Sequence, residues 1–258
     1  MTTWVLLRGL ARESRHWGDF ARRLKMRLPP DDSVVAIDLP GNGVLHAEAS
    51  PTRVADMVAA GRARLATQRA AGPCAIIALS MGGMVAVEWA YLHPDEISGC
   101  VLINSSFGGL APPWRRLQPG SYVPLLKLLW LGTKTLARER RFLELTSADA
   151  PRHTALPNRW AAIYAGCPVS TKNTLRQLAA AARYRAPPGP APVPLLVLAA
   201  ALDRLVSPHC SRAAAMHWAM PLQLHPSAGH DLPLDDPDWV IESLLAWWQA
   251  LDRTTVVA

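Results

Sequence analysis

Six short apolar runs punctuate the chain, and between them apolar positions recur at intervals of three and four residues. The runs are Thr3 to Leu7, Ser33 to Ile37, Ala75 to Leu79, Gly99 to Asn104, Pro194 to Ala201 and, more weakly, Pro221 to His225. Each is continuous and bounded by turn residues, the pattern of strands covered on both faces. Helical spacing occupies Trp17 to Leu28, Pro51 to Gln68, Met84 to Ala90 and Pro237 to Leu251. Strand alternating with helix predicts an α/β architecture: a mostly parallel sheet of about six strands with helices on both faces.

From Ser105 to Pro192 the pattern changes. No strand-like run occurs there, and helical spacing covers Val123 to Leu131, Leu136 to Leu145, Asn158 to Gly166 and Thr171 to Arg185. Gly108-Gly109 and Pro112-Pro113 open the segment; Pro187-Pro188-Gly189-Pro190 and Pro192 close it. The expected organisation is a core made of residues 1–104 and 193–258, with residues 105–192 inserted as a helical cap over the sheet edge.

Composition and charge narrow the reading. The 258 residues suffice for one substantial core with an insertion. The net charge of +7 comes from 23 Arg and only 4 Lys, and it is concentrated. Residues 105–192 hold thirteen Arg and Lys against three acids, a net +10, which leaves −3 for the rest. No basic stripe interleaved with aromatics occurs, so no nucleic-acid partner is expected. No run approaches the roughly 20 apolar residues of a membrane span. The first apolar run is too short for a signal peptide, and a cytoplasmic protein is expected. Cys74, Cys100, Cys167 and Cys210 form neither a C-x-x-C pair nor a metal-ligand spacing. No metal and no cofactor are expected, and Cys74 and Cys100, each opening an apolar run, are expected as buried thiols.

Candidate chemistry starts at Ser80. An apolar run stops at this serine, and Met81-Gly82-Gly83 leads directly into the helical stretch after it. Strand, serine, glycine pair and helix is the order that holds a hydroxyl on a sharp turn above a sheet edge; the consensus G-x-S-x-G has Ala78 in place of its first glycine. A serine hydroxyl needs a base. His230, in Ser227-Ala228-Gly229-His230-Asp231 between the last strand and the closing helix, is the candidate. Asp203, directly after the fifth strand, is the acid that orients it, in the chain order Ser80, Asp203, His230. Asp231, Asp235 and Asp236 are expected to cap the closing helix. Donors for a developing oxyanion are expected at the Met81 amide and at the Leu10 amide, where Gly9 lets the chain turn after the first strand. Asp38-Leu39-Pro40-Gly41-Asn42-Gly43 is expected as a structural turn.

These pieces together resemble the α/β-hydrolase superfamily in its short form with a helical cap: Arg8-Gly9-Leu10 followed by Trp17, Asp38 to Gly43, Leu79 to Gly83, Asp203 with Val206-Ser207-Pro208, and Gly229-His230. The resemblance covers nearly all of the chain outside the cap. It implies a serine hydrolase acting on a carboxylic ester or thioester, of small carboxylesterase type, similar to pimeloyl-carrier-protein methyl esterase and related hydrolases. The elbow also resembles that of homoserine O-acetyltransferases, which makes acyl transfer the alternative; a non-catalytic binding relative is a third reading. In such a cap the acyl group would lie against Trp114, Tyr122, Leu125 and Trp160. The basic cap suggests an acidic acyl carrier protein as a partner. Where the family has histidine, this chain has Arg8, which either contacts an acidic substrate or, the favoured reading, pairs with Glu13.

Overall fold

The computed structural model describes residues 1–68, 72–130 and 135–255. In its first half, strands and helices alternate as β1 (Thr3–Leu7), α1 (Phe20–Arg27), β2 (Ser33–Ile37), α2 (Val54–Thr67), β3 (Cys74–Leu79), α3 (Met81–Leu92) and β4 (Ile97–Ile103). Five helices follow: α4 (Pro113–Arg116), α5 (Tyr122–Trp130), α6 (Thr135–Thr146), α7 (Leu156–Gly166) and α8 (Thr171–Arg183). The chain then returns through β5 (Leu195–Ala200), α9 (Pro208–Trp218), β6 (Leu222–His225), α10 (Leu232–Asp235) and α11 (Pro237–Thr255).

The strands pair in parallel in the order β2-β1-β3-β4-β5-β6. Period-two geometry divides their apolar side chains between two cores. Val5, Leu7, Ile76, Ala78, Cys100 and Leu102 face α2, α3 and α9, where Met57, Val85, Trp89 and Trp218 are buried. Trp4, Leu6, Ile77, Val101, Leu196 and Leu198 face α1 and α11, where Phe20, Leu24, Val240 and Leu244 are buried. Two faces covered by helices explain why the strands are continuous apolar runs.

Three helices are absent from the expected pattern: the one-turn α4 and α10, and the longer α9. The helix α9 is not signalled, because its inward positions Cys210, Ser211, Ala214 and Ala215 are small and give little hydrophobic contrast. Ser207 marks its start, accepting from the His209 amide at 3.4 Å, with Pro208 as the first helical residue. The expected helix over Val123 to Leu131 is present to Trp130; Leu131, like the cap cation Lys134, lies outside the described residues. The buried thiols are where the sequence put them: burial raises Cys74 to about 11 and pushes Cys100 higher still. No helix of the described residues is long and apolar enough to cross a membrane.

Candidate active site

The carboxyl ends of parallel strands converge on one edge of the sheet, where loops from separate strands meet. The candidate residues leave β1, β3, β5 and β6 there. Ser80 follows β3 with φ 58° and ψ −120°, a conformation that side-chain-bearing residues rarely adopt. It is held from both sides: its amide donates to Ile103 O at 2.8 Å, and its carbonyl accepts from Ser105 Oγ at 2.9 Å and the Gly83 amide at 3.0 Å. The glycine pair is steric in origin. A Cβ on Gly82 would lie 2.6 Å from Leu7 O, and one on Gly83 would lie 2.1 Å from Ser105 Oγ. Close approach of α3 to β1 and β4 therefore requires both. The helix N-terminus points its amides toward Ser80, which favours negative charge there.

His230 and Asp203 are brought together from positions 27 residues apart, with Nδ1 2.7 Å from Oδ2. Both are buried. The other Asp203 oxygen accepts from the Leu205 and Val206 amides at 2.8 and 2.9 Å. A carboxylate only accepts, so the imidazole proton in this hydrogen bond sits on Nδ1, and Nε2 keeps its lone pair. Among the described residues, neither Ser80 Oγ nor His230 Nε2 has a hydrogen-bond partner. They are tied through β4 instead. Asn104, at φ 47° directly after the residue that accepts from Ser80, donates to His230 O at 2.8 Å and Gly229 O at 3.3 Å. Its Oδ1 accepts from the Ala200 amide at 2.9 Å. Nothing local in the sequence marks Asn104 as the tie between β4, β5 and the His230 loop.

The turn after β1 lies against the serine: a Cβ on Gly9 would be 3.0 Å from Ser80 Cβ and 3.5 Å from its Oγ. The Leu10 and Met81 amides have no acceptor among the described residues. The next amide, that of Ala11 (φ 54°), donates to Gln177 Oε1 at 2.8 Å. The Gln177 side chain on α8 also donates to Asn42 Oδ1 at 3.0 Å and Ser50 Oγ at 2.9 Å. The helix α8 thus braces the turn, a contact invisible in the sequence. Asp38 is structural as expected, accepting from the Ser14 and Val44 amides.

Two charge assignments need correction. Arg8 does not pair with Glu13. Both its terminal nitrogens donate to Asp231, at 3.0 and 2.6 Å, while Glu13 pairs with Arg15. With its terminal nitrogens committed, Arg8 is part of the frame. Nor do the three aspartates share one role. Asp236 alone caps α11, through the Trp239 amide; Asp235 accepts from Ser147 Oγ and from the Ala148 and Gly229 amides, tying the His230 loop to the end of α6. The local spacing suggested a cap because three acids precede a helix, but buried donors elsewhere claim two of them.

The four candidate lining residues separate. Trp114 is 60% exposed and Tyr122 41%. Leu125 packs on the cluster of Ala111, Leu128, Leu145, Leu205 and Val206, beside the Asp203 loop. Trp160 is buried in a seam where the Arg12 guanidinium lies 3.6 Å from the Phe142 ring and 4.5 Å from Trp160. Arg12 Nη1 donates to Glu139 at 2.6 Å and lies 2.9 Å from His16 Nε2. Burial, reinforced by Arg12 and Arg8, holds the His16 pKa well below its ordinary value. Among the described residues, no group of three His, Cys, Asp or Glu side chains is arranged to hold a metal ion.

No curated protein matches the chain. Solved structures match its shape at low identity. The 2-hydroxy-6-oxo-6-phenylhexa-2,4-dienoate hydrolase from Rhodococcus sp. strain RHA1 is 18% identical, with a TM-score of 0.76 over 96% of this chain and 90% of that one. A thermophilic esterase from Thermogutta terrifontis is 19% identical, with a TM-score of 0.69 over 97% and 90%. An esterase from Rhodococcus sp. ECU1013 is 17% identical, with a TM-score of 0.68 over 95% and 90%. At such identities the likeness is one of fold. The model of the Alpha/beta hydrolase family matches residues 4–243, nearly the whole chain, and the protein belongs to that family.

Proposed function

We propose that the protein is a serine hydrolase that cleaves a carboxylic ester or thioester through an acyl-enzyme on Ser80. The observation that carries this reading is the buried His230–Asp203 pair, presented on the same sheet edge as a serine at positive φ. His230 Nε2 takes the Ser80 proton as Oγ attacks the carbonyl carbon. Asp203 stabilises the resulting imidazolium, and the Leu10 and Met81 amides receive the oxyanion. The alcohol or thiol leaves with the proton from His230. Water, deprotonated by the same base, then releases the acid and frees Ser80. Residues 105–192 act as the cap that covers the acyl group. Their net charge of +10 suits an acidic acyl carrier protein as the partner that bears the substrate.

Solved proteins of similar fold include a hydrolase and two esterases, which agrees with this reaction class. Ser80→Ala tests it. The wild type should hydrolyse p-nitrophenyl esters and be labelled by a fluorophosphonate, and the variant should lose both. Activity that survived the substitution would remove Ser80 from the mechanism. Homoserine offered as an acceptor distinguishes acyl transfer from hydrolysis, since a transferase would form the O-acyl product in preference to free acid.

A further inference from the structure

The oxyanion turn and the base loop leave strands that are far apart in the sheet. β3, β4 and β5 separate β1 from β6, four strand spacings or about 19 Å. Strand pairing alone cannot set the distance between loops that bend back over the sheet from such separated ends. Arg8 and Asp231 bridge them. Arg8 is the last residue before Gly9-Leu10, and Asp231 directly follows His230. The guanidinium fork donates twice to the carboxylate, Nη1 to Oδ1 at 3.0 Å and Nη2 to Oδ2 at 2.6 Å. The two side chains are 4% and 3% exposed, and Trp17 stacks 5.0 Å from the guanidinium. Two parallel hydrogen bonds between planar groups define separation and rotation together. Asp231 is anchored in turn: its amide donates to Thr146 O at 2.8 Å, and its carbonyl accepts from the Leu234 and Asp235 amides.

From this geometry we infer that the Arg8–Asp231 pair is a clamp that sets the position of His230 relative to the Leu10 amide, and so the geometry in which proton transfer and oxyanion stabilisation coincide. The inference rests on the serine-hydrolase reading above. Both are positioning residues, since neither touches a reacting atom.

A buried ion pair is costly to break but often neutral to replace whole by apolar residues. The double variant Arg8→Met/Asp231→Leu therefore separates stability from positioning. Expected are a melting temperature close to wild type, a KM for p-nitrophenyl esters changed by less than about twofold, and a kcat and maximal fluorophosphonate-labelling rate lowered about 10- to 100-fold. Arg8→Lys keeps the charge but loses the fork, and carries the test if the double variant does not fold. It should lose kcat at unchanged KM and melting temperature. Wild-type kcat in a folded double variant, or in Arg8→Lys, would overturn the clamp while leaving the serine-hydrolase reading intact. A wild-type protein inert to both ester and probe would overturn that reading, and the clamp with it.

Discussion

At the scale of single residues, the backbone of Ser80 bears on stability. Its φ of 58° and ψ of −120° impose a steric penalty on any residue with a Cβ, of about 1–3 kcal/mol. Ser80→Gly removes hydroxyl and penalty together, whereas Ser80→Ala removes only the hydroxyl. The glycine variant should be the more stable of the two by about 1 kcal/mol in urea denaturation, after allowing for the greater chain entropy of glycine. Equal midpoints would mean that the elbow stores no strain. Ser80 was legible because its signal is local: an apolar run, a hydroxyl and two small residues in sequence. Asn104 was not, because a lone asparagine after a strand has the signature of any turn residue. Only the folded chain shows it holding His230 O and the Ala200 amide at once.

At the scale of elements, the seam between the turn after β1 and helices α6 and α7 depends on one buried ion pair. Arg12 extends from that turn between Phe142 on α6 and Trp160 on α7, and its partner Glu139 is 1% exposed. Glu139→Ala leaves a buried guanidinium unpaired, and the protein should lose about 3–5 kcal/mol of stability. Adding Arg12→Met should recover much of that loss, which a double-mutant cycle in urea would measure. Recovery would identify the loss as that of an uncompensated charge rather than of packing. Helices α5 to α8 were legible from their 3.6-residue periodicity, but α9 was not, because alanine and serine on its inner face carry almost no pattern.

At the scale of the whole molecule, charge is divided between parts. The segment 105–192 carries +10 and the rest −3. A substrate borne on an acidic carrier should be steered by that field, and a small neutral ester should not. Raising ionic strength should therefore lower kcat/KM for a carrier-borne ester several-fold and leave p-nitrophenyl acetate unaffected. Parallel responses of the two substrates would show that the arginines are only a solvated face.

The sequence by itself determined the layered α/β architecture, the order of the strands along the chain and the candidates Ser80, Asp203 and His230. Hydrophobic periodicity, turn residues and strand ends are properties of neighbouring positions, and they survive folding unchanged. Tertiary structure decided the partners of the buried charges. Arg8 had Glu13 five residues away and took Asp231, 223 residues away, while Glu13 took Arg15. A buried guanidinium must be paired, and many carboxylates in the chain could satisfy it. Which one does depends on where the carboxyl ends of β1 and β6 return over the sheet, and that is set only when the sheet is assembled.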